Sequence, residues 1–197
     1  VIAPLGMNDT SFKRLDDTES RLPVAYMQSY DADNFKAPLY DMGIAPAGNM
    51  YSTMDDLSKL MRAVINDGVG ENGSILSSKV MADMVYPETS FDAARRIGLG
   101  FLLSEVDGHK GAGHGGAIYG FASQMKVMYE DGFGVAASAN VDQSNAIVNR
   151  IVDHAIKVIF AVKEGKEMPK YDTGEDLPTD VRKSLEGTYK DETGVIV

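Results

Sequence analysis

The chain has 197 residues, 44% of them hydrophobic and 24% charged, with a net charge of −10 and no cysteine. This is globular composition with enough apolar residues for a real core, and its acidity argues against nucleic acid or an anionic membrane surface as partner, because phosphates demand a basic face. The missing cysteines exclude disulfides, zinc–thiolate sites and a cysteine nucleophile, and no apolar run reaches the ~18 residues of a membrane span.

The opening Val1-Ile2-Ala3-Pro4-Leu5 has neither a basic leader nor a long apolar region, so it does not read as a signal peptide; the chain reads as starting in mid-domain. Residues 1–50 are rich in Pro, Gly and Asp, with one short strand expected at Val24-Ala25-Tyr26-Met27. A helix is predicted from Ser52-Thr53, where a hydroxyl can accept the free N–H groups of the first turn and Asp55 and Asp56 suit the positive end of the dipole. Leu57, Leu60, Met61, Val64 and Ile65 form its apolar stripe, and Asn66-Asp67-Gly68 ends it. A shorter helix is predicted from Ser77 or Ser78, burying Val80, Met81, Met84 and Val85 and stopping before Pro87.

Aromatic and β-branched residues then predict three strands, Gly98 to Val106, Tyr119 to Tyr129 and Phe133 to Asn140. The link between the first two runs through Asp107-Gly108 and the glycine-rich Gly111–Gly116, and Glu130-Asp131-Gly132 closes a hairpin between the last two. Short connections imply an antiparallel meander. Helical spacing returns from Ser144 to Val162, where Ile147, Ile151, Val152, Ala155, Val158, Ile159 and Val162 form a broad face suited to lie across a sheet. Residues 163–181 read as a linker. Residues 182–197, with Leu185-Glu186-Gly187-Thr188-Tyr189 and Gly194-Val195-Ile196-Val197, read as the truncated start of a further β domain.

The densest chemical feature is Gly113-His114-Gly115-Gly116-Ala117-Ile118-Tyr119-Gly120-Phe121. Glycine weakens a strand and is kept where a ligand or another backbone must come close. The residues alone allow two readings: a ligand-facing edge whose N–H groups hold a developing oxyanion, or a glycine-rich connection with an exposed histidine. Ser123-Gln124-Met125-Lys126 has the Ser-x-x-Lys form, but a three-residue offset in a strand puts the two side chains on opposite faces. Ser138-Ala139-Asn140 reads as the end of a strand, His109 as a solvated turn residue and His154 as a helix-flank residue. No His, Asp and Glu spacing suggests a metal, and no cofactor is expected.

Pro4-Leu5-Gly6-Met7-Asn8-Asp9-Thr10-Ser11-Phe12 resembles the PLGM-x-x-T-x-F segment of the serine β-lactamase-like hydrolases, a family that includes penicillin-binding proteins, esterases and D-aminopeptidases. Pro46-Ala47-Gly48 with Ser52-Thr53 and Asp56-Leu57 is similar to its P-A-G-x-x-x-S-T-x-x-D-L helix start, and Gly113-His114-Gly115-Gly116 with Gly120-Phe121 to its third active-site motif, Lys-Thr-Gly in true β-lactamases.

The resemblance implies an α+β fold of the β-lactamase/transpeptidase type, an antiparallel sheet flanked by helices, with residues 1–162 as the later part of the hydrolase domain. It implies acyl-enzyme hydrolysis of an ester, amide, D-amino-acid peptide or β-lactam bond, and the histidine form of the motif leans towards esterase or peptidase. His114 is the implied catalytic residue, hydrogen-bonding substrate or relaying protons. Gly115 and Gly116 would let substrate pack on the strand, the N–H of Ala117 would supply an oxyanion donor, and Tyr119 would wall the cleft. The family's Ser-x-x-Lys and Tyr-x-Asn motifs precede the PLGM segment, so the nucleophile is expected outside this chain and the chain alone is expected to be inert. The sheet is then expected to expose an edge and an apolar face to a partner, either the N-terminal part of the same domain or a second copy. The alternative function is a non-catalytic binding or sensor protein on the same fold. An α/β-hydrolase reading fails for want of a Gly-x-Ser-x-Gly elbow. The compartment stays open, although relatives are often exported.

Overall fold

The computed structural model describes residues 1–29, 33–39, 42–86, 97–171, 173–174, 177–187 and 189. Before the main sheet come α1 (Thr18–Arg21), β1 (Tyr26–Met27), β2 (Phe35–Lys36), α2 (Ala45–Gly48), α3 (Met54–Ile65), β3 (Val69–Gly70), β4 (Gly73–Ser74) and α4 (Ser78–Val85). The expected strand at Val24–Met27 is β1, which pairs antiparallel with β2. Both helix starts are where the hydroxyls place them. The Thr53 side chain accepts from the Asp56 N–H and the Ser77 side chain from the Val80 N–H, each satisfying a first-turn donor.

The main sheet is an antiparallel meander in the order β5 (Leu102–Val106), β6 (His109–Ile118), β7 (Phe121–Met128) and β8 (Phe133–Ala139). It therefore has one strand more than the sequence predicts: the glycine-rich link is itself a ten-residue strand, β6. Two two-residue turns, Asp107-Gly108 and Tyr119-Gly120, fold it back on both neighbours, with Val106 opposite His109 and Ile118 opposite Phe121. Gly120 has φ +81°, which the turn requires, and a Cβ there would stand 2.5 Å from the Ala25 methyl. Tyr119 is thus a turn residue and not the first residue of a strand.

Alternation divides the sheet into two packed faces. Leu103, Ala112, Met125 and Val127 join Met61 and Val64 of α3 and Met81 and Val85 of α4 in one core. Val106 and Met128 face the other way, against Val152, Ile156 and Phe160 of α5 (Asn145–Glu164). Helix α5 does lie across the sheet, but on a rotated stripe. Its buried side chains are Val148, Val152, Ile156, Phe160 and Ala161, while Ile147, Ile151 and Val162 are exposed. Seven apolar positions cover more arc than a sheet can touch, and the row spaced by four residues is the one that packs.

Strand β8 is half-exposed along nearly its whole length, an edge beyond which no strand pairs among the described residues. The apolar face expected beside it is covered, since helices occupy both sides. Leu102 is the only large hydrophobic residue of the four strands that is exposed. Residues 163 and 164 belong to α5, and the described residues between 166 and 178 lie in no helix or strand; the Tyr171 ring returns to α5, between Arg150 and His154. A short helix, α6 (Thr179–Ser184), then spans the expected linker end at 181 and the first residues of the expected β segment. Thr188 and residues 190–197 lie outside the described residues.

Two of the segments that carry the resemblance form one buried joint. Ser11 and Tyr51 exchange backbone hydrogen bonds, and Asp56, fully buried, accepts from Thr10 Oγ1 (2.8 Å), the Asp9 N–H (2.8 Å) and Lys59 Nζ (2.8 Å). Lys59 Nζ also donates to the Gly6 carbonyl at 2.8 Å. Asp56 is therefore a structural hub and not only a dipole partner. Burial by itself opposes its charge, but the hydrogen bonds from Lys59, Thr10 and Asp9 outweigh that cost and hold its carboxyl below the ordinary value.

Candidate active site

Register decides what each residue of β6 can offer. His114 stands opposite Met125 and Gly116 opposite Ser123, on the sheet face that carries α3 and α4. His114 is exposed, with Nδ1 2.6 Å from the Gly115 carbonyl oxygen. Gly111, Gly113 and Gly115 present their α-carbons to the α5 side, beneath Met128, Lys126 and Gln124. A Cβ on Gly111 would reach Met128 Sδ at 2.9 Å, one on Gly115 would reach Gln124 Oε1 at 2.6 Å, and one on Gly113 would overlap the Met125 carbonyl oxygen and touch the Lys126 stem. Packing therefore explains these three glycines. Gly116 alone of the motif's central glycines lies on the His114 face, where a Cβ would meet Ser123 Oγ at 2.6 Å. Gly115 can offer a substrate only its backbone.

The same register aims the backbone. The two-residue turn makes Ile118 and Phe121 a hydrogen-bonded pair, so alternation directs the N–H and C=O of Ile118, Gly116 and His114 to β7. Those of Gly115 and Ala117 point the opposite way. There β5 pairs only as far as Gly113, so among the described residues no strand faces Gly115 or Ala117 on that side. Ala117 and Tyr119 are both exposed. An N–H at a strand edge that no described strand accepts can stabilise negative charge on a carbonyl oxygen.

The remaining polar candidates are structural. Ser123 and Lys126 lie on opposite faces, as the strand offset requires. Lys126 is buried on the α5 side and donates to Asp153 Oδ1 at 2.6 Å. Lys126→Met should change the thermal midpoint little, because replacing a buried ion pair's cation by an apolar side chain of similar length removes its desolvation cost and leaves Asp153 partly solvated; a denaturation curve checks this. Ser138 Oγ donates to the Ala122 carbonyl and Asn140 Nδ2 to the Val24 carbonyl. His109 is not a solvated turn residue: its Nδ1 is 2.9 Å from Asp131 Oδ1 and its ring stacks on Phe160 with centroids 3.8 Å apart.

The sequence reading misses two neighbours of the motif. Ser123 sets its hydroxyl over Gly116, and Asn145, the first residue of α5, donates from Nδ2 to the Gly116 carbonyl at 2.8 Å. Asn145 lies 29 residues further along the chain, and no local pattern links the two. Surface cavities of about 260 and 190 Å³ lie beside Lys59 and Arg62 and beside His109 and Phe160, and neither is lined by His114.

The beta-lactamase family model matches residues 1–156. A human protein described as putative beta-lactamase-like 1 is 44% identical over 69 residues, covering 34% of this chain and 13% of that protein. Penicillin-binding protein 4 of Amycolatopsis lactamdurans is 25% identical over 205 residues, covering 98% of this chain and 52% of its own length. This chain therefore spans about half or less of the curated relatives it matches. Among solved structures, an octameric penicillin-binding protein homologue from Pyrococcus abyssi aligns with a TM-score of 0.63 at 22% identity, over 98% of this chain and 42% of that one. A D-amino acid amidase from Ochrobactrum anthropi aligns with a TM-score of 0.59 at 25% identity, over 84% of this chain and 49% of that one. The fold is that of the β-lactamases and transpeptidases, and the chain belongs to the serine beta-lactamase-like family.

Proposed function

We propose that this chain supplies the His-Gly-Gly wall of an acyl-transfer serine hydrolase, whose nucleophile comes from a Ser-x-x-Lys helix outside these 197 residues. The observation that carries the reading is the register of β6, which sets His114 and Gly116 on one face and turns the Ala117 N–H to an open edge. In the reaction, the serine oxygen adds to the substrate carbonyl and the C–O or C–N bond breaks. The leaving group takes a proton, and water then releases the acid. Ala117 N–H stabilises the oxyanion, His114 hydrogen-bonds the substrate or passes the proton, Gly115 offers its backbone, Gly116 admits the substrate, and Tyr119 closes the rim. The substrate is a small ester, amide or D-amino-acid peptide, with a β-lactam the less favoured member of the class. The open β8 edge is the seat of the rest of the domain.

The test uses the full-length protein that carries this chain. A fluorophosphonate or penicillin probe should label one serine outside residues 1–197, and His114→Ala should lower kcat/KM about 10²-fold. Its exposed position predicts an unchanged thermal midpoint. A folded full-length protein that takes up no probe and turns over no ester or amide would sink the reading and favour a binding or sensor protein.

A further inference from the structure

The Gly116–Ala117 peptide unit has two working ends. Its N–H, on Ala117, faces the open edge, and its C=O, on Gly116, faces β7 and also accepts the Asn145 amide at 2.8 Å. Asn145 is held firmly. Ser144 Oγ donates to the Val141 carbonyl at 2.6 Å, the Val148 N–H bonds to the Ser144 carbonyl, and Val148 and Val152 are buried just beyond. The strand on the other side of this contact is Gly115-Gly116, the stretch with the least conformational preference of its own.

We infer that Asn145 is a positioning residue for the oxyanion site, acting on the Ala117 N–H through the Gly116 carbonyl. A second donor on one carbonyl oxygen fixes the plane of the amide. It also draws electron density to that oxygen, which makes the N–H at the other end of the same amide a better donor. The gain is largest when the N–H meets an oxyanion, so it belongs to the transition state more than to bound substrate. The inference rests on the hydrolase reading for its catalytic consequence, but not for the coupling itself.

Two variants of the full-length protein test it. Asn145→Ala removes the donor. Asn145→Asp keeps the shape, offers no donor, and places a negative charge in the first turn of α5, which the helix dipole favours. Both should lower kcat about tenfold with KM nearly unchanged, and Asn145→Asp should do so without lowering the thermal midpoint, a split that a merely structural contact would not give. In the same proteins the Gly116 carbonyl ¹³C and Ala117 amide ¹H resonances should move upfield, a readout independent of turnover. Unmoved resonances, an unchanged kcat, or a loss confined to KM would each overturn the inference. Moved resonances in the variants, with no turnover by the wild-type protein, would sink the hydrolase reading while upholding the coupling.

Discussion

Asp56→Ala should lower the stability of the domain by about 3–5 kcal/mol, because it leaves a buried Lys59 contact, the Thr10 hydroxyl and the Asp9 N–H without their common acceptor. For a chain of this size that is a fall of about 6–20 °C in thermal midpoint. The effect should spread to Leu5 and Met7, which are buried against Ala63 only while the Gly6–Thr10 segment is held to α3. Asp56→Asn separates charge from shape. The folded carboxyl titrates below its unfolded value, so its charge stabilises the fold fully above an unfolded pKa of about 3.9 and loses that contribution as pH falls through the folded value. The stability gap between wild type and Asp56→Asn should thus be constant near neutrality and close in acid. Urea denaturation across pH measures it, and a gap that widens in acid would contradict the assignment.

Gly113→Ala should cost about 3 kcal/mol, although a methyl is the smallest possible addition. The obstacle is the Met125 carbonyl oxygen, part of the β7 backbone, so relief requires β6 and β7 to separate. Gly108→Ala supplies the control: it has a positive φ of +88° but open space around the position, and should lose only about 1 kcal/mol of backbone strain. In the full-length protein Gly113→Ala should also reduce turnover well below its melting range, because the strand that shifts carries His114; a displacement of about 1 Å can cost 10²-fold. Equal midpoints for Gly113→Ala and Gly108→Ala would show that the strand spacing is softer than this packing implies.

The starts of α3 and α4 were legible because their signals are local. Thr53 and Ser77 mark starts by a hydroxyl that bonds within three residues, and the α3 stripe repeats within three turns; on α4, Met81 and Val85 are buried as expected, but Val80 is exposed. The fourth strand was not legible. Strand propensity is read from side-chain bulk, and β6 has little bulk because Met128, Lys126 and Gln124 of the neighbouring strand occupy the space above its glycines. A sequence records the gap and not the side chain that fills it.

For the His-Gly-Gly segment, the sequence alone determined the motif, its place between a strand and a hairpin, and the family that uses it. Tertiary structure decided which glycine shares the His114 face, since that depends on the register of β6 against β7, and a one-residue shift would exchange Gly115 and Gly116. It decided that the Ala117 N–H is aimed at an edge, because β5 stops pairing at Gly113. It also brought in Asn145 from 29 residues away and made Asp56 a buried hub as well as a partner of the helix dipole. Propensity, caps and motifs act between near neighbours and are written in the chain. Facing, burial and long-range hydrogen bonds exist only once strands and helices pack together.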